Sequence, residues 1–206
     1  MALLRVGVLA SGRGTNLQAI IDACKEGKIP AEVAVVVSDK AGAQALERAR
    51  KEGIPAVFVD PRGFAGKEEY EQAVVDVLKR HGAELVCLAG YMRLVGKTLL
   101  GSFPNRIMNI HPALLPAFPG LHGQRQALEY GVRYSGCTVH FVDEGCDTGP
   151  IILQAVVPVF DTDTEETLAA RILEQEHRIY PEAIRLFAGG YLHLEGRRVF
   201  IREGKK

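Results

Sequence analysis

The chain of 206 residues holds 25 Lys+Arg against 25 Asp+Glu, a formal net charge of zero, with 47% hydrophobic and 24% charged residues. That length suits one large domain with a full core, and the balanced charge argues against a nucleic-acid platform, which would show a basic excess. The four cysteines, Cys24, Cys87, Cys137 and Cys146, show no CxxC or paired His/Cys spacing. Three lie in apolar or small-residue surroundings and read as buried thiols, so neither a structural zinc nor a disulfide framework is expected.

The N-terminal MALLRVGVLASG lacks a signal peptide's cleavage pattern, and no stretch approaches the roughly 20 apolar residues of a membrane span. A cytoplasmic protein without nucleic-acid or membrane partners is therefore expected. Arg5 to Ala10 reads as a compact apolar strand, the loop SGRGTN follows, and Leu17, Ile20, Ile21 and Cys24 recur at helical spacing up to Lys25. Glu32 to Val37 is a second strand ending at Ser38-Asp39, and Gln44 to Lys51 a helix stopped by Gly53. Ala56 to Val59 is a third strand, Lys67 to Arg80 an amphipathic helix, Leu85 to Ala89 a fourth strand, and Val95 to Leu100 a short helix. Alternating apolar strands and helices are the sequence form of a parallel sheet covered on both faces.

The fifth strand, Arg106 to His111, opens the stretch RIMNIHPALLPAFPGL. It carries Asn109 and His111 two residues apart, hence on one face. Pro112 stops it, and Pro116 and Pro119 keep the following loop stiff. The ends of strands in an open α/β sheet are where such folds place their chemistry. An amide donor beside an imidazole can hold an oxyanion and move a proton. After His111 the pattern changes. A helix over Gln124 to Tyr130 precedes two strands, Cys137 to Val142 and Ile151 to Val159, which flank the loop Asp143–Pro150 and read as an antiparallel addition. Thr164 opens a long helix to about Phe187, and YLHLEGRRVFI reads as a hairpin turning at Glu195-Gly196. The fold class expected is α/β, a single-domain open twisted sheet, mostly parallel and Rossmann-like.

The loop Ser11-Gly12-Arg13-Gly14-Thr15-Asn16 lies between a strand and a helix N-terminus, where backbone N–H groups and the helix dipole favour an anion. A dinucleotide fingerprint would need a third glycine where Leu17 stands. It would also need an acid about 20 residues on, whereas Asp39 lies 25 residues beyond Gly14. No Gly-Lys-Ser/Thr follows either, so the phosphate of a small metabolite is the preferred ligand. Asp147 sits in a glycine-rich loop able to reach His111, where a carboxylate would favour and orient the imidazolium. Asp143, Glu144 and Asp161 have equal claims on composition. His122, His140 and His177 remain candidates beside their plainer readings as a loop hydrogen-bonding group, a core histidine and an exposed helix residue.

Taken together, ASGRGTNLQAII, LAGYMRL, MNIHPALLPAFPGLHGQRQALEYG, TVHFVDEGCDTGPIILQ and QEHRIYP closely resemble the folate-dependent phosphoribosylglycinamide formyltransferase family of purine biosynthesis, over nearly the whole chain. The resemblance implies transfer of a formyl group from 10-formyltetrahydrofolate, as co-substrate, to the amine of phosphoribosylglycinamide, with no metal. It implies a catalytic trio of Asn109, His111 and Asp147, and substrate contacts at Gly14, Thr15, Asn16 and Glu176. The folate side it implies comprises Met92, Arg93, Leu94 and Val95, with Asn109 and the Asp143–Asp147 loop, Glu144 included, toward the pterin. Lys67 stands where some relatives carry a folate-side arginine. Lysine keeps the charge and loses the planar fork. A single formyltransferase domain over 1–206 follows, about 1–105 its phosphate-binding half and about 106–206 its catalytic and folate-binding half. It would act as a monomer or weak homodimer.

Three rivals share parts of this pattern. A hydrolase of the same folate would be expected to carry an additional N-terminal regulatory domain, and a methionyl-tRNA formyltransferase an extra basic C-terminal one. A dehydrogenase or nucleotide-binding module would rest on Gly12-x-Gly14 alone. X–Pro bonds are trans by default, and the sequence leaves the Leu115–Pro116 isomer open.

Overall fold

The computed structural model describes residues 2–202. The described residues divide into two compact units, one ending at Asn109 and the other beginning at Ile110.

The first unit contains β1 (Leu4–Leu9), α1 (Thr15–Lys25), β2 (Ala31–Ser38), α2 (Gln44–Lys51), β3 (Ala56–Phe58), α3 (Lys67–Arg80), β4 (Leu85–Leu88), α4 (Lys97–Ser102) and most of β5 (Ile107–His111). Its strands run parallel in the order β3-β2-β1-β4-β5. Val6, Val8, Leu9, Val35, Val36, Leu85 and Val86 are buried to 2% exposure or less, as unbroken apolar strands under helices on both faces should be. Tyr70, Val74, Val75 and Leu78 line the inner face of α3, and Leu17, Ile20 and Ile21 that of α1.

Helices α2 and α3 have the ends that periodicity gave them. Helix α4 runs over Lys97–Ser102, two residues later than expected at each end. The cause is Glu71, a buried carboxylate on α3 that accepts the N–H of Gly96 at 2.5 Å and of Leu99 at 3.3 Å. It thereby serves as a cap supplied from another helix.

The second unit contains the last two residues of β5, α5 (Gly123–Tyr130), β6 (Tyr134–Phe141), β7 (Ile151–Pro158), α6 (Glu165–Ala188), and the hairpin β8 (Leu192–Glu195) with β9 (Arg198–Ile201). The strand order is β5-β6-β7. β6 and β7 are antiparallel, from Tyr134 opposite Pro158 to His140 opposite Ile151. β6 starts three residues before the expected Cys137 because this pairing carries the backbone through Ser135 and Gly136. A side chain at Gly136 would meet the Ala155 carbonyl oxygen at 1.9 Å, so the sequence there is fixed by strand approach.

The long helix α6 packs on β6, β7 and α5. Its N-terminus is a reciprocal cap between Thr164 and Thr167. Among the cysteines, Cys87 and Cys137 are buried, Cys24 is half-buried and Cys146 is exposed, so two of the three expected thiols are enclosed. No helix among the described residues is long and apolar enough to cross a membrane.

Candidate active site

Strand β5 ends at His111, which is 4% exposed. The loop after it is held by side chains from the antiparallel pair. The buried Thr138 hydroxyl donates to the Ala113 carbonyl at 2.7 Å and accepts the Leu115 N–H at 3.1 Å. Gln154 on β7 donates to the Leu115 carbonyl at 2.9 Å and to the Thr138 hydroxyl oxygen at 3.0 Å. The Leu115–Pro116 bond is cis. The loop then returns to the histidine, and His111 Nε2 lies 2.8 Å from the Phe118 carbonyl oxygen.

Asp147 meets this loop from the segment between β6 and β7. Its Oδ2 lies 3.3 Å from His111 Nδ1 and accepts the Gly120 N–H at 2.8 Å. Its Oδ1 lies 3.6 Å from Nε2 of His140, which is buried on β6 with Nδ1 2.8 Å from the Phe141 carbonyl oxygen. Burial pushes the Asp147 carboxyl up. The His140 hydrogen bond, the Gly120 N–H and the charges of the two imidazoles outweigh that and hold it at about 2. His111 thus has an oxygen close to each ring nitrogen.

Two of the three rival acids are engaged elsewhere. Asp143 accepts the Thr148 hydroxyl at 2.6 Å and the Gly145 N–H at 3.1 Å. Glu144 is exposed, and Asp161 pairs with Arg133. His122 is exposed with φ 60 ahead of α5. His177 is half-buried, with Nε2 enclosed and without a hydrogen-bond partner. The expected exposed helix residue is thus corrected, because α6 turns that position partly inward. Glu176 is buried at 7% on the same helix. Burial first, then the Glu176 charge, pushes the Cys137 thiol up to about 12.

In the first unit, Gly14 precedes α1 with φ 73, and a side chain there would meet Ala45 Cα at 2.8 Å. Only glycine suits both demands. Arg48 fixes the loop by donating to the Arg13 carbonyl at 2.8 Å. The first turn of α1 holds no acid, and Asn16 is 9% exposed beside half-buried Thr15.

Asn109 pairs in register with Leu88 on β4. After β4, Met92 and Leu94 are 64% and 65% exposed. Arg93 lies over the Tyr70 ring at 4.8 Å, and Val95 is half-buried. Lys67 Nζ stands 3.9 Å from Glu71. A pocket is lined by Lys67, Tyr70, Glu71, Arg93, Leu94 and Val95 among others. Among the described residues no group of three His, Cys, Asp or Glu is arranged to hold a metal ion.

Sequence reasoning passed over Thr138, Gln154 and the bond from His140 to Asp147. The one local signal was a threonine and a histidine two residues apart within an apolar strand.

A family model described as Formyl transferase matches residues 4–184. Phosphoribosylglycinamide formyltransferase of Bacillus subtilis is 45% identical over 185 residues, covering 90% of this chain and 95% of that protein. A trifunctional purine biosynthetic protein of Drosophila pseudoobscura pseudoobscura is 50% identical over 190 residues, 91% of this chain. The chain spans 14% of that protein's length. The crystal structure of glycinamide ribonucleotide transformylase 1 from Symbiobacterium toebii is 61% identical, with a TM-score of 0.97, covering 98% of this chain and 95% of that one.

Proposed function

Because the chain belongs to the formyl transferase family, we propose that it moves the formyl group of 10-formyltetrahydrofolate onto the primary amine of 5-phosphoribosylglycinamide. The products are formylglycinamide ribonucleotide and tetrahydrofolate, a step of de novo purine biosynthesis. The observation that carries this reading is the enclosed His111–Asp147 pair, 3.3 Å apart, at the end of the strand that also bears Asn109.

The residues present fit both substrates. Gly14, Thr15 and Asn16 offer a helix N-terminus free of acidic side chains to the ribose phosphate. Glu176 offers a carboxylate to the glycinamide. Exposed Met92 and Leu94, with Val95, offer apolar surface to a flat folate ring, and Arg93 and Lys67 offer cations to its carboxylates. The loop with Asp143 and Glu144 would face the pterin.

When bound, the folate supplies the formyl carbon and takes up a proton at its departing nitrogen. Attack by the amine forms the new C–N bond and drives charge onto the formyl oxygen. Asn109 donates an amide N–H to that oxygen. His111 turns its Nε2–H from the Phe118 carbonyl toward the same oxygen as a second donor. Asp147 orients His111 and, through water, carries the proton lost by the amine toward the folate nitrogen as the C–N bond to folate breaks. His140 and the Gly120 N–H hold Asp147 ionised for that task. The setting inferred is cytoplasmic, with the chain acting as a monomer or weak homodimer.

The test is the folate absorbance change with 10-formyltetrahydrofolate, run with and without phosphoribosylglycinamide. Tetrahydrofolate release only in the presence of the amine is expected. Equal release without it would replace the transferase by a hydrolase.

A further inference from the structure

The acid that closes β2 has no part in the chemistry above, yet it is 5% exposed and built into a chain of hydrogen bonds. Asp39 Oδ1 accepts the Ser11 hydroxyl at 2.6 Å, and the same Ser11 oxygen accepts the Met92 N–H at 2.9 Å. Ser11 N–H in turn donates to the Gly90 carbonyl at 3.1 Å. A serine hydroxyl has one proton and two lone pairs. The buried carboxylate claims the proton, which leaves a lone pair turned toward residue 92. Ser11 is the first residue of the glycine loop, and Met92 belongs to the exposed segment after β4.

The surroundings of Asp39 point the same way. Its charge is felt at Tyr91 and Tyr70, whose hydroxyls lie 2.8 Å apart, and the Tyr70 ring carries Arg93. An acid at the end of β2 in a dinucleotide-binding sheet faces the ligand's ribose. Here the side chain is turned inward and bonded to a loop of its own chain, so it is a part of the frame.

We infer that Asp39 and Ser11 are a positioning pair that sets the Gly90–Val95 segment in register with the phosphate loop, so that both substrate sites share one anchor. Asp39 fixes the rotamer of Ser11, and Ser11 fixes the Met92 amide. Without the pair the segment loses its tie and the Met92 donor loses its partner. This assignment rests on the proposed function for its kinetic consequences, and on the hydrogen bonds alone for its structural ones.

The experiment compares wild type, Ser11→Ala, Ser11→Thr, Asp39→Ala and Asp39→Asn by amide hydrogen exchange of the unliganded protein and by steady-state kinetics. Asp39→Ala is expected to speed exchange of the Met92 amide by roughly 10-fold, the effect passing through the Ser11 hydroxyl. Ser11→Ala should do the same, and Ser11→Thr should retain wild-type protection. Asp39→Asn, which keeps the volume, should shift exchange in the same direction by less.

KM for both substrates should rise together, by roughly 5- to 30-fold, while kcat falls less than KM rises. A generally weakened fold would instead lower the active fraction and leave KM in place. Unchanged Met92 exchange in Asp39→Ala would overturn the assignment, as would wild-type KM values in a variant whose exchange is altered. If wild type turns over neither substrate, the proposed function falls and the exchange measurement alone decides the positioning pair.

Discussion

The Asp147 oxygen that lies 3.3 Å from His111 Nδ1 also accepts the Gly120 N–H at 2.8 Å. One carboxylate oxygen therefore ties the histidine to the loop that follows it. The second oxygen faces His140. Asp147 itself has φ 54, a backbone conformation that costs a non-glycine residue energy unless its surroundings hold it.

Asn109→Ala and Asp147→Asn should fold normally and lose turnover. Removing one oxyanion donor costs about 100- to 1,000-fold in rate, and Asp147→Asn removes the carboxylate charge 3.3 Å from His111 Nδ1. Circular dichroism checks folding and single-turnover kinetics check chemistry. A kcat near that of wild type in either variant rules out its assigned role.

Asp147 should leave a mark on acid stability. Its folded carboxyl sits at about 2 against an ordinary 3.8, so the unfolded chain binds the proton more readily. The stabilisation is therefore fully present above about pH 4 and is lost as pH falls toward 2. Denaturant unfolding of wild type and Asp147→Asn between pH 2 and 5 should give curves that converge at the acid end. Parallel curves across that range would contradict the linkage.

Gly149 sits where the Asp147 loop rejoins the strand, and a methyl group there would lie 1.7 Å from the Phe141 carbonyl oxygen and 3.3 Å from the Asp143 amide nitrogen. Backbone atoms cannot yield as a flexible side chain can. Gly149→Ala should displace the loop and cut kcat at least as strongly as Asp147→Asn. Its melting temperature should fall too, and, unlike the stability loss of Asp147→Asn, that fall should not fade toward pH 2. A Gly149→Ala enzyme with wild-type kcat would show that the loop tolerates the shift.

The cap of α6 gives a prediction about stability alone. Thr164 accepts the Thr167 N–H at 3.3 Å, and its own N–H donates to the Thr167 hydroxyl at 2.9 Å. Thr164→Ala removes the side-chain half of that exchange and should cost about 1 kcal/mol. For a chain of this size that is a melting shift of roughly 2–4 °C. Calorimetry reads it, and KM for either substrate should not move.

Local chemistry wrote most of the elements into the sequence. The ends of α2 and α3 follow from apolar spacing and the glycines beside them. The branched residues of β1, β2 and β4 specify buried strands wherever they pair. The glycine loop before α1 and the placing of Asn109 and His111 on β5 were equally legible, since each depends on residues within a few positions of one another.

What lay beyond the sequence depends on residues far apart along it. Composition left Asp143, Glu144, Asp147 and Asp161 equivalent, and only the fold brings Asp147 to His111 while Asp143 closes its own loop and Asp161 pairs with Arg133. The same holds for His140 facing Asp147, for Thr138 and Gln154 gripping the Leu115 loop, and for Glu71 moving the start of α4. A helix or strand arises from the pattern of its own residues. The partner of a buried polar group is chosen by which distant group happens to be able to satisfy it, and that choice belongs to the tertiary structure.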